Sequence, residues 1–244
     1  MQLKIPAPLD PHFLPLEMVM RAYEADVQKS ENTCDFGVLI LRNQGYCDHY
    51  VTRIFRDGAD ERTVPLMDRL VKTLLWARGG YKIVVFGSDA VYAHLSAAYR
   101  AGGERAFDAD FMATVYERPF EVEKAASITE VMQHKSSAGS VGRHLKGCRI
   151  GFDAGGSDRK VSAVIDGEAV YSEEVVWFPK TQSDPSYHHD GILAAMRSAA
   201  AHMPRVDAIG VSSAGVYIDN KIMVASLFLK VSKEDFARCV KTMY

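Results

Sequence analysis

The spacing of hydrophobic residues changes several times along the chain, and each change predicts an element. Residues 16–28, "LEMVMRAYEADVQ", carry apolar positions at helical spacing. Pro6, Pro8, Pro11 and Pro15 precede them and predict an extended arm packed on something. From 35 to 58, "DFGVLILRNQGYCDHYVTRIFRDG", two β-rich runs surround an "NQG" turn, which predicts a hairpin. "TVPLMDRLVKTLLWARGG" (63–80) returns to helical spacing, with Thr63 as cap, Pro65 just inside the start and Gly79 and Gly80 as the stop. "YKIVVFG" then predicts a short buried strand, and "SDAVYAHLSAAYRAGG" a helix between a serine cap and two glycines. Residues 104–133 are mixed, with a helix-like stretch, Pro119 and a helix at "SITEVMQ".

The small, polar segment "HKSSAGSVGRHLKG" predicts a domain boundary. "CRIGFDAGG", "RKVSAVIDG" and "EAVYSEEVVWF" follow as three strands of a meander. After them come an alanine-rich helix, "SYHHDGILAAMRSAAAHM", a buried strand with a polar end, "VDAIGVSSAG", and the start of another helix, "SKEDFARCVKTMY". The order β-β-β-α-β-α is as in a ribonuclease-H-like half-domain. The expected organisation is an arm and helix at 1–32, an α/β domain at 33–134, a linker at 135–146 and the ribonuclease-H-like half at 147–244.

Composition narrows the function. The chain has 244 residues, 48% hydrophobic and 25% charged, as in ordinary globular proteins. A net charge of -2 with interspersed signs offers no footprint for nucleic acid or an anionic membrane, so neither partner is expected. No apolar run reaches the roughly 18 residues of a membrane span, and "MQLKIPAPLDPHFLPLE" lacks the order of a signal peptide; the cytoplasm is the expected compartment. Cys34, Cys47, Cys148 and Cys239 are widely spaced with no CxxC pair, which predicts buried free thiols.

The chemistry concentrates at "GFDAGGSDRK". Glycine within a strand marks a bulge or a close approach by a backbone or ligand. A tight glycine turn between strands gathers backbone N–H groups into a nest for phosphate oxygens. Gly155 and Gly156 leave room, Ser157 adds a hydroxyl donor and Lys160 adds charge. Asp153, ending the first strand, would face a magnesium ion through water, because magnesium keeps much of its hydration shell when it bridges phosphates. The expected ligand is Mg-ATP. A hairpin turn that binds nothing is the competing reading. Neither G-x-G-x-x-G nor G-x-x-x-x-G-K-[ST] occurs.

"DAGGSDRK" resembles the first phosphate motif of the acetate and sugar kinase, heat-shock chaperone and actin ATPase superfamily, Asp-x-Gly-Gly-Ser/Thr-x-x-Lys. With "IGVSSAG" at 209–215, the likeness is to the ROK group of bacterial sugar kinases and repressors, over about 146–244. That resemblance implies phosphoryl transfer from Mg-ATP to a sugar hydroxyl. The alternative is a non-catalytic module that binds nucleotide or sugar. Ser212, Ser213 and Gly215 close a strand at the sheet end where open α/β sheets bind ligands, and the resemblance places their loop beside the substrate cleft. A small-residue turn chosen for packing explains them as well.

The resemblance also implies a catalytic aspartate in a Glu-Asn-Asp-Ala-like segment soon after the point reached by "FARCVKTMY". The chain ends first, and it lacks the ROK zinc and Glu-x-x-Gly-His motifs, so no catalytic base is assigned. The expectation is a first half whose C-terminal lobe lies elsewhere, or a homodimer. The hairpin-helix-strand-helix order at 33–103 suggests a degenerate relative of the same half-domain, with "RNQGYCDH" in place of the phosphate loop. His188, His189 and Asp190 are adjacent, but neighbouring side chains at a helix start diverge, which favours a capping turn over a metal site.

Overall fold

The computed structural model describes residues 3–5, 7–136, 142 and 144–244. The chain divides into two compact units, Met1–Ala138 and Gly139–Tyr244. The linker expected at 135–146 includes 137–141 and 143, which lie outside the described residues.

In the first unit, α1 (Leu16–Gln28) precedes a hairpin of β1 (Thr33–Leu41) and β2 (Cys47–Phe55). The hairpin pairs antiparallel from Thr33↔Phe55 to Leu41↔Cys47. Its turn places Gln44 at φ 60° and Gly45 at φ 74°, the left-handed pair that matches the twist of two strands. α2 (Thr63–Arg78), β3 (Lys82–Phe86) and α3 (Asp89–Ala98) follow. Thr63 does not cap α2. Arg62 occupies that position, and the Thr63 hydroxyl hydrogen-bonds the buried Tyr23 hydroxyl at 2.8 Å. The Ser88 cap of α3 forms as expected, its hydroxyl accepting from the Val91 N–H at 3.0 Å.

The mixed region resolves into α4 (Ala106–Tyr116), β4 (Glu121–Lys124) and α5 (Ile128–Val131). β4 escapes sequence reasoning because "EVEK" has one apolar residue, and its place comes from parallel pairing with β3. The sheet order is β2-β1-β3-β4. β1 is buried on both faces, with Leu39 in one cluster with Val131 of α5. The Pro-rich arm differs from expectation: Ile5 and Leu9 are 85% and 100% exposed, so it is not packed down by its own unit.

The second unit contains β5 (Cys148–Ala154), β6 (Asp158–Ile165), β7 (Glu168–Val176), α6 (Pro185–Ala200), β8 (Ala208–Ser213), the short hairpin β9 (Val216–Ile218) and β10 (Lys221–Val224), and α7 (Lys233–Asp235), which continues as a wider turn at Phe236–Val240. The sheet order is β7-β6-β5-β8, with β5–β6 and β6–β7 antiparallel and β5–β8 parallel. A meander that returns through a helix to lay its fourth strand parallel to its first is the ribonuclease-H-like half-domain.

The first unit shows the same sequence of directions across its sheet, two antiparallel pairs and then a parallel one. It reaches that sheet by another route. Its third strand in space, β3, comes after a helix, so the unbroken three-strand meander of the second unit is absent. The hairpin-helix-strand-helix order expected at 33–103 is the order of β1, β2, α2, β3 and α3.

The core of the second unit lies on one face of the sheet. Ile150, Phe152, Ala154, Val161 and Ala163 meet Ile192, Ala195 and Ala199 of α6, with Trp177, Leu227 and Phe228 closing the edges. Alternation along the strands sends Gly151, Asp153, Lys160, Ser162 and Ser212 to the opposite face. β8 also departs from the sequence reading, which made it buried. It is an edge strand, with Ile209 50% and Val211 41% exposed. All four cysteines are free; Cys47 and Cys148 are buried, whereas Cys34 and Cys239 are half-buried.

Candidate functional site

The parallel pair β5–β8 brings two distant candidate segments to one end of the sheet. Ala154 pairs with Ser213 and Asp153 with Ser212, so the 155–157 turn and the 214–215 turn leave side by side from the carboxyl ends of parallel strands. Asp153 also lies opposite Lys160 on β6, and Lys160 opposite Glu174 on β7. A polar row, Glu174–Lys160–Asp153–Ser212, therefore crosses all four strands. It lines an open cavity of ≈ 730 Å³ together with Ser162 and Gly210.

Asp153 is half-buried, and among the described residues its carboxylate has no hydrogen bond or ion pair. An unpaired carboxylate at the mouth of a cavity is suited to a hydrated cation. Lys160 is less free. Its ammonium donates to Asp158 Oδ1 at 2.7 Å and stands 3.8 Å from Glu174 Oε1. The hydrogen bond to Asp158 chiefly holds Lys160 above the ordinary lysine range. In return, Lys160 and then the Ser157 hydroxyl hold the Asp158 carboxyl below the usual carboxylate range.

The glycine turn is built by close approach. Neither Gly155 nor Gly156 has a positive φ. A Cβ on Gly155 would lie 2.5 Å from the backbone oxygen of Asp158, so this position has room for hydrogen only. Trp177, buried at the end of β7, fixes the turn twice: its indole N–H donates to the Gly155 carbonyl at 2.8 Å and its backbone N–H to the Ser157 carbonyl at 3.1 Å. Among the described residues, the N–H groups of Gly156 and Ser157 have no backbone acceptor. The Ser157 hydroxyl donates to Asp158 Oδ2 at 3.1 Å.

The three residues of the second segment separate. Ser212 joins Asp153 on the open face. Ser213 points the other way, its hydroxyl 3.4 Å from Tyr244 Oη, in a groove with Ile209, Val211 and Tyr217. Burial pushes the Tyr244 hydroxyl up to about 12. Gly215 has φ 148°, and a Cβ there would meet the Val224 carbonyl at 2.5 Å, so its role is to let β10 close over the loop.

Two further residues bear on the candidate site: Lys180, which no motif marks, and His188 of the His-His-Asp run. Lys180, in the turn between β7 and α6, lies over Gly156: a Cβ built there would be 2.6 Å from Lys180 Nζ. His188, fully buried, directs Nε2 at the carbonyls of Pro179 and Leu227, each at 3.0 Å. Both partners are acceptors, so Nε2 carries the proton. His189 is exposed and only 3.3 Å from Asp190, and no group of three metal-ligating side chains occurs among the described residues. Asp184 caps α6, accepting from the Ser186 N–H at 2.9 Å. Among the described residues, no helix is long and apolar enough to cross a membrane.

No protein-family model matches the sequence, and no curated protein is similar to it. Among solved structures, an exopolyphosphatase from Cytophaga hutchinsonii is similar at a TM-score of 0.23 and 11% identity, over 74% of this chain. The likeness covers 64% of that protein, less than two thirds of its length. The assignment of the second unit as a ribonuclease-H-like half-domain rests on its own strand order and directions.

Proposed function

We propose that the second unit is the phosphate-binding half of an ATP-dependent sugar kinase-like protein of the ROK type. The observation that carries this reading is the unpaired Asp153 carboxylate, which faces an open cavity beside a glycine turn at the carboxyl ends of β5 and β8. Side chains filling that space would have made the turn an ordinary hairpin.

The residues fit Mg-ATP. Asp153 would hold the hydrated magnesium, and the Gly156 and Ser157 N–H groups would receive phosphate oxygens at a turn held rigid by Trp177. Bound magnesium neutralises charge on the transferring phosphoryl group. The chain's own contribution is to position the phosphates and present donors that need no reorganisation. No base for the acceptor hydroxyl is assigned.

Calorimetric titration of the 244-residue chain with ATP, with and without magnesium, tests the reading. Magnesium-dependent binding in the wild type and its loss in Asp153→Ala, at unchanged melting temperature, supports it. Equal affinities for the two proteins return Asp153 to an ordinary half-buried carboxylate.

A further inference from the structure

We infer that Lys180, rather than the motif lysine Lys160, is the cation that meets phosphate at the glycine turn. The inference rests on the phosphate-binding reading of that turn and deepens it.

Lys160 has two carboxylates to satisfy, Asp158 at 2.7 Å and Glu174 at 3.8 Å. Both carboxylates compete with a phosphate for the three Lys160 donors. Lys180 has no such competitor: among the described residues it makes no ion pair or side-chain hydrogen bond, and its side chain is exposed. Its Cε and Nζ stand 2.5 and 2.6 Å from where a Gly156 Cβ would be, so the ammonium rests where this glycine presents only hydrogen. Among the described residues, the N–H groups of Gly156 and Ser157 in the same turn have no backbone acceptor.

The backbone beneath Lys180 is fixed, which lowers the entropy lost when a ligand is bound. The Pro179 carbonyl accepts from buried His188. The Phe178 N–H donates to the Tyr187 hydroxyl at 3.0 Å, and the Thr181 hydroxyl donates to the Phe178 carbonyl at 2.9 Å. Trp177, three residues earlier, is bonded to the turn itself. Segment 177–181 and turn 155–157 thus form one assembly, with Lys180 beside Gly156. Asp153 and Lys180 would divide the ligand, the carboxylate serving the magnesium and the ammonium a phosphoryl oxygen.

The test uses the full chain with Lys180→Ala, Lys180→Arg, Lys160→Ala and Asp153→Ala, titrated with Mg-ATP and with magnesium pyrophosphate. Lys180→Ala should weaken both ligands about tenfold, the equivalent of ~1.4 kcal/mol for one charge-assisted contact. Lys180→Arg should restore most of the affinity, and Lys160→Ala should change it by less than about threefold, as expected of an exposed ion pair. Pyrophosphate should also protect Lys180 from acylation by an amine-reactive ester more than Lys160, read by peptide mass spectrometry. Lys180→Ala binding like the wild type while Asp153→Ala fails to bind would overturn the assignment and leave the phosphate reading standing. Preferential loss with Lys160→Ala would do the same. A wild type that binds neither ligand would overturn both.

Discussion

The indole N–H of Trp177 donates to the carbonyl of Gly155 at 2.8 Å, joining the end of β7 to the glycine turn between β5 and β6. Because Trp177 is also part of the core of the second unit, the shape of the turn is tied to the packing beneath it. Trp177→Phe keeps an aromatic ring and removes the donor. Stability should fall by about 1–3 kcal/mol, combining the lost hydrogen bond with the space left by the smaller ring. A shift in the urea midpoint at constant m-value measures it, and Mg-ATP affinity should fall in the same variant. A midpoint within error of the wild type would mean that the indole N–H contributes nothing.

The two glycines should behave differently. Gly155→Ala drives a methyl group to 2.5 Å from the Asp158 backbone oxygen, which cannot move without disturbing β6. It should cost about 1–3 kcal/mol, as overpacking does. Gly156→Ala meets only the flexible end of Lys180, so stability should stay within about 0.5 kcal/mol while phosphate affinity drops as the ammonium is pushed aside. Thermal melting and pyrophosphate titration of the pair separate the effects. Equal destabilisation by both would contradict the geometry.

His188→Phe fills the same space with no donor. The Pro179 and Leu227 carbonyls would then lose their shared partner inside the core, and the loss should be about 1–3 kcal/mol. The turn carrying Lys180 should loosen with it. Hydrogen exchange at 178–182 in wild type and variant reads this directly, and unchanged protection would remove His188 from the support of the site.

In the first unit, the Asp57 carboxylate seats at the start of α3, accepting from the Ser88 hydroxyl at 2.5 Å and from the N–H groups of Asp89 and Ala90 at 2.9 and 3.0 Å. Burial pushes this carboxyl up, but the hydrogen bonds from Ser88, Ala90 and Asp89 outweigh it and hold the group below the usual carboxylate range. A depressed folded value means that the stabilisation is complete above the ordinary carboxylate range and is lost as pH falls through the depressed value. Asp57→Ala should cost about 0.5–2 kcal/mol at neutral pH, as loss of a helix cap does. The gap from wild type should close in acid. A pH series of urea midpoints checks the sign, and a gap that widens in acid would contradict it.

Local pattern carried much of this architecture. α1 and α2 begin and end where the apolar spacing, Pro65 and Gly79 place them, and the β1–β2 hairpin turns at Asn43–Gly45 as the "NQG" signal predicts. The glycine turn was legible for the same reason, since adjacent glycines between two strands are a short-range signal. The details that long-range pairing supplies were not legible. β4 is a strand because β3 lies beside it, and β8 is exposed because it is an edge. β9–β10 is different: Val216–Ile218 and Lys221–Val224 flank an Asp219-Asn220 turn with both φ positive, a local hairpin signal that the sequence carries. Ser212 and Ser213 look equivalent in sequence, yet the two-residue period of a strand sends only Ser212 to Asp153. Lys180 is the strongest case. Nothing in "FPKTQ" marks it, and it reaches Gly156 because Trp177, 22 residues from Gly155, anchors one segment to the other. Residue type and spacing encode what neighbours a few positions apart can do. Which charge stands over the turn depends on contacts made only after the sheet has closed and α6 has packed against it.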